Sequence, residues 1–175
     1  MKTLSAVLLV FIALAFQPSS AQDNKPCVSL DGSSARQFMP DRVPLEMETI
    51  LVENGKLTAI QFPDKLRLGI APLNTSGHGS DIQAKYQYGL VSETGFYLGR
   101  RLMPSGVLGL ALLREEDPET HERILVARDF TGAEIDRIRL QPDPNGRPSP
   151  LLLTPKGEKE FELRFGHHFI IGKER

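Results

Sequence analysis

The chain has no tryptophan and a single cysteine, and only 7% of its residues are aromatic. One cysteine, Cys27, excludes an intramolecular disulfide. The lack of tryptophan removes the side chain that flat sugar-binding platforms usually recruit. A basic surplus is missing too. The 21 Lys and Arg stand against 22 Asp and Glu, for a net charge of −1, which argues against electrostatic capture of nucleic acid or an anionic membrane. There is no internal repeat and no low-complexity tract. Beyond the first 21 residues, no window of a dozen carries an i, i+3, i+4, i+7 apolar stripe, so long amphipathic helices are excluded.

What is there begins with a leader. Lys2 supplies a positive start, and Leu4 to Phe16 follow without a charge. Gln17-Pro18 breaks any helix, and Ser19-Ser20-Ala21 sets small residues before a cut between Ala21 and Gln22. The apolar run is about 13 residues, short of the roughly 20 that a membrane-spanning helix needs. Residues 1–21 therefore read as a removable signal peptide, with no membrane span left after processing. The mature chain is then expected to be secreted or periplasmic, and its composition to be bacterial. Lipid attachment at Cys27 is disfavoured because Asp23-Asn24-Lys25-Pro26 precede it. Cys27 reads as a bystander thiol in a mobile stretch, or as the site of an intermolecular disulfide.

Residues 22–44 are rich in Asp, Ser, Pro and Gln and read as a flexible N-terminal arm. From Leu45 the pattern has period two. Leu45–Val52 and Leu57–Phe62 flank Glu53-Asn54-Gly55-Lys56, and Asn-Gly between β-rich runs predicts a type I′ hairpin. That hairpin sets Met47 opposite Phe62, Thr49 opposite Ile60 and Leu51 opposite Thr58, with Glu53 facing Lys56. A third strand follows at 66–70. Ala84, Tyr86, Tyr88 and Leu90 then alternate with polar neighbours to give one aromatic face. Val107–Leu113 is almost wholly apolar, as in a strand covered on both sides. Further short strands at 124–127, 134–140, 151–153, 161–165 and 169–171 are separated by turns. The expected fold is all-β: one antiparallel β-sandwich or closed barrel of about ten short strands, over residues 45–175.

Two stretches carry a resemblance. Gly99-Arg100-Arg101-Leu102-Met103-Pro104-Ser105-Gly106 resembles the Gly-Lys-x-Leu-x-x-Gly turn in families of uncharacterised secreted bacterial β-sandwich proteins, domains of unknown function. Phe161-Glu162-Leu163-Arg164-Phe165-Gly166-His167-His168-Phe169-Ile170 resembles the closing hairpin of such proteins. The chain departs from them at Leu98, where a second glycine is frequent, and at Val107-Leu108, where an aromatic residue often stands. The resemblance implies a fold and an exported location. It implies no activity.

Candidate chemistry is sparse. Ser76, His78, Ser80 and Asp81 share one glycine-loosened loop. A working triad draws its members from separate rigid elements, and no Gly-x-Ser-x-Gly elbow occurs. His167 and His168 are adjacent, and on a strand they would face opposite ways. Either one with His78 is the candidate metal set. The acidic run Glu115–Glu122 and the turn Asp143-Pro144-Asn145-Gly146 carry carboxylates without the spacing of a calcium loop. Tyr86, Tyr88 and Tyr97 are candidates for lining a ligand-binding face. Arg100-Arg101 reads as a solvated tip. Asn74-Thr75-Ser76 matches a glycosylation sequon, which matters only in a eukaryotic host.

The expectation is an exported, non-enzymatic binding or envelope-scaffold module. It would take a protein partner or small ligand, and no cofactor. The alternative is a metal-dependent enzyme or metal-binding protein using His78 with His167 or His168.

Overall fold

The computed structural model describes residues 26–114 and 123–175. The expected leader with its expected Ala21–Gln22 cut, and the acidic run 115–122, lie outside the described residues. The chain opens with β1 (Val28–Ser29), helix α1 (Gly32–Phe38), β2 (Arg42–Leu45), β3 (Glu48–Val52), β4 (Thr58–Gln61) and β5 (Arg67–Asn74). Helix α2 (Ser80–Lys85) precedes β6 (Tyr88–Ser92), β7 (Phe96–Leu98), β8 (Arg101–Met103), β9 (Gly106–Arg114) and β10 (Arg123–Asp129). The remainder is β11 (Glu134–Arg139), β12 (Gln141–Pro142), β13 (Ser149–Pro155), β14 (Glu160–Gly166) and β15 (His168–Glu174).

The strands form two antiparallel sheets of nine and six, an all-β sandwich as the alternation predicts, with more and shorter strands than the ten expected. The larger sheet runs β1-β4-β5-β6-β9-β10-β11, with β3 also on β5 and β2 on β3. The smaller runs β13-β14-β15-β7-β8, with β12 on β15. Between them lies the main core. Phe161 stands at its centre, 6.1 Å from Phe62 and 6.0 Å from Phe96 between ring centroids. These tilted contacts suit the charge distribution of aromatic rings.

A second, smaller core sits on the outer face of the nine-stranded sheet. Val43, Leu45 and Ile50 of the β2–β3 hairpin, Ile82 of α2 and Tyr86 pack there on Ala71 and Leu73. β9 is thus covered on both sides, which explains its unbroken apolar run. The close approach depends on Gly109. A Cβ at that position would stand 2.2 Å from Cδ1 of Tyr86.

Three sequence expectations change. The Asn54-Gly55 hairpin does not form, and residues 54–56 make a single 3₁₀ turn instead. β3 and β4 both lie along one edge of β5. Val52 faces Leu73 and Thr58 faces Ile70, so a six-residue step on one chain matches three on the other. The turn is an insertion in one edge path, and Glu53 and Lys56 are an ion pair within it at 2.7 Å. Pairing with the apolar β5 outweighs the local turn signal. The hairpin forms upstream, between β2 and β3, with Val43 opposite Ile50 and Leu45 opposite Glu48. Its two central residues, Glu46 (φ 50°) and Met47 (φ 64°), are left-handed, as a type I′ turn requires.

Residues 28–44, expected as part of a flexible arm, belong to the body. Cys27, Ala35, Met39 and Val43 are buried, and Asp31 caps α1 by accepting from the amides of Ser33 (2.9 Å) and Ser34 (2.8 Å). Cys27 is therefore a core side chain rather than a mobile thiol. Burial, with the nearby Glu174 carboxylate, pushes its pKa up to about 11. Finally, residues 80–85 are helical, so the expected strand begins only at Tyr88.

Candidate functional site

Glu46 organises an exposed apolar surface feature, the tip of the β2–β3 hairpin. Its backbone N–H donates to the carbonyl of Phe130 at 2.9 Å, fastening the tip of the β2–β3 hairpin to the β10–β11 turn. Its carboxylate runs back beneath the tip. Oε1 accepts from Tyr86 Oη at 2.9 Å and from Lys85 Nζ at 3.1 Å, while Oε2 stands 3.3 Å from the same ammonium. Gly132, at φ 90°, leaves the space this carboxylate fills. Burial and the bond to Glu46 raise the Tyr86 pKa well above the usual phenol value, so Tyr86 is a neutral donor.

Above this anchor the next residue, Met47, is completely exposed, and Phe130 is 59% exposed. With Pro44, Glu46 and Thr131 they line an open groove of about 570 Å³. A left-handed non-glycine residue costs of order 1 kcal/mol, and such strain gathers at functional sites. Here the strain holds a bare thioether out in solvent beside an aromatic ring.

The tyrosines expected to share one face do not. Tyr86 is fully buried in the outer core, whereas Tyr88 packs from the inner side, 5.0 Å from the Phe165 ring. The helical stretch before Tyr86 breaks the strand alternation that would have aligned them. Tyr97 belongs to the other sheet, opposite Leu102 and Lys173. Tyr88 does reach an open groove of about 590 Å³, with Lys56, Pro72 and Leu151 in its walls. Burial raises its pKa against the pull of Arg123 and Lys56.

The residues of the polar loop are each engaged elsewhere. Ser76 Oγ donates to Asn74 Oδ1 at 2.7 Å. Nδ1 of His78 stands 3.3 Å from Glu48 Oε2, and Asp81 pairs with Lys85 at 2.7 Å. Ser80 begins α2. No serine–histidine–aspartate relay results. His167 is an exposed turn residue, and His168 opens β15 opposite Phe165 in the six-stranded sheet. Among the described residues, no group of three or more His, Cys, Asp or Glu is placed to hold a metal ion. Asp143 turns inward to Arg164 Nη1 at 3.0 Å.

The tip itself gave little warning in the sequence. Glu46-Met47 carries no turn signature, and Glu46 reads as an outward residue of an alternating strand. The neighbouring turn between the runs at 124–127 and 134–140 is visible only through the glycine of Thr131-Gly132-Ala133.

Among known proteins, no family model, no curated protein and no solved structure matches the chain.

Proposed function

We propose that the chain is an exported, non-enzymatic binding module, secreted or periplasmic, that docks a protein partner through the Met47–Phe130 tip. The observation that carries this reading is the pairing of a fully exposed methionine with a fixed base: Glu46 ties the tip down at four contacts while Met47 meets only solvent. A projecting knob suits an apolar pocket on another protein better than it suits a small ligand, which would need enclosure. Methionine adapts its three rotatable bonds to such a pocket, and an aromatic neighbour supplies rigid area. The leader of uncharged apolar residues supports the exported location, and the engaged polar loop leaves no reacting group aligned.

Hydroxyl-radical footprinting tests the docking. Met39 and Met103 are buried at 2% and 0% exposure and serve as protected internal controls. Val28 and Leu152, exposed and remote in sequence from the tip, report radical dose. In purified protein Met47 should oxidise fastest. In the exported fraction of its host, Met47 and Phe130 should be protected relative to Val28 and Leu152. Equal labelling in both preparations would overturn the reading.

A further inference from the structure

A second surface carries a different charge and a different chemistry. Among the described residues β11 is the terminal strand of the nine-stranded sheet, paired with β10 alone. Beside its outer edge, where the two sheets approach at the β7–β8 turn, lies an open groove of about 280 Å³. Arg100 and Arg101 of that turn line it from the smaller sheet, Arg137 and Arg139 from β11. Ile138 and Ile170, both buried, form part of its floor. Successive residues of a strand point to opposite faces. Because 137, 138 and 139 all reach the groove, it follows the edge of β11 and does not lie on either face.

Four arginines line the groove, and among the described residues no acidic side chain does. Arg101 Nε is 3.0 Å from Asp136 Oδ2 at its margin, and Arg137 Nε is 2.7 Å from Glu134 Oε1. Both arginines are more than half exposed, so these pairs contribute little and exchange readily. Among the described residues Arg100 has no ion-pair partner. A free strand edge offers main-chain pairing to an added strand. Guanidinium forks donate to carboxylates in bidentate geometry, and an apolar floor takes the alternate side chains.

We infer that this edge binds an extended peptide segment in which acidic and apolar residues alternate, added antiparallel or parallel to β11. Nucleic acid fits less well, because Asp136 and Glu134 interrupt the positive surface and the chain as a whole is acidic. The inference does not depend on the Met47 tip, and the two can fail separately.

The test uses a labelled, end-capped peptide of five Glu-Val repeats, read by fluorescence anisotropy at low salt. Saturable binding is expected, weakening as salt is added and falling by roughly tenfold or more in the R100E/R137E variant. The M47S/F130S variant should bind the peptide as the native chain does. Hydrogen exchange should show new protection over residues 134–139. Three results would each overturn the inference: no saturation, equal affinity of R100E/R137E that still melts like the native protein, or equal affinity for a Lys-Val peptide. Full displacement by inorganic pyrophosphate without any protection of β11 would make the groove a simple anion site and would also overturn it.

Discussion

Tyr86 Oη donates a 2.9 Å hydrogen bond to Glu46 Oε1, and through it the outer core holds the hairpin tip in place. The phenol is fully buried and the carboxylate is shared with Lys85. Tyr86→Phe removes the bond but keeps the ring, and the carboxylate retains its ammonium. It should lower unfolding stability by about 1 kcal/mol, the usual net worth of such a bond. Urea titration checks this, and an unchanged midpoint would show that the bond holds nothing.

Gly109 is predicted to be the least replaceable position beneath that ring. Alanine there places a methyl group within van der Waals overlap of Tyr86 Cδ1 and Cε1. Overpacking of this kind costs about 1–3 kcal/mol. The diagnostic result is non-additivity: Gly109→Ala should cost much less in a Tyr86→Ala background, because the partner in the clash is gone. Equal costs in both backgrounds would place the conflict elsewhere.

Met47→Gly separates stability from binding. Glycine accepts φ 64° without a Cβ penalty, though it gains freedom in the unfolded chain. The net effect should be a stability unchanged or raised by up to about 1 kcal/mol. Footprint protection of Phe130 in the exported fraction should nevertheless be lost. A variant that is less stable, yet still protected at Phe130, would contradict both the strain and its purpose.

Glu174 gives the fold a pH dependence of known sign. Its carboxylate is buried, and neither oxygen has a well-formed hydrogen bond, although Lys159 Nζ stands 3.3 Å from Oε2. Burial first, and the neighbouring Asp64 carboxyl second, raise its pKa; Lys159 pulls it back only in part. A carboxyl whose folded pKa is raised supports the fold fully below the ordinary glutamate value and loses that support as pH rises through the folded pKa. Glu174→Gln should therefore flatten the fall in stability between mildly acid and neutral pH, and be the more stable form at the neutral end. A variant less stable than the native chain at neutral pH would show the charge to be net favourable there. Cys27, the other titratable group facing this carboxyl, stays a thiol throughout that range, with its pKa pushed up to about 11.

Much of the sandwich was legible because period-two alternation reports a buried face wherever pairing partners lie nearby. The hairpin over 161–170 follows its pattern directly, with Phe165 opposite His168 and Gly166 at φ 61° in the turn. Gly99 does the same between β7 and β8, with Leu98 opposite Arg101. The misreading at Asn54-Gly55 has a single cause. The local turn signal gives way to β5, which lies downstream and recruits both flanking strands. The same slip hid the tip, since moving the turn upstream is what leaves Glu46 and Met47 left-handed. Tyr86 and Tyr88 look equivalent in the sequence because alternation cannot see a short helix that ends at Lys85, just before Tyr86. The arginine groove was half visible: Arg100-Arg101 stood out, but nothing local joins them to Arg137 and Arg139.

The central claim is that the Met47 tip meets a protein partner, and photo-crosslinking tests it most directly. A photoreactive amino acid is placed at position 47 of the full chain expressed in its host, with exposed Glu158 substituted in the same way as a control. The prediction is one discrete adduct from position 47, absent from 158 and strongly reduced when Phe130→Ser is added. Within the adduct this chain should begin at Gln22. No adduct from position 47, or the same adducts from both positions, would contradict the account.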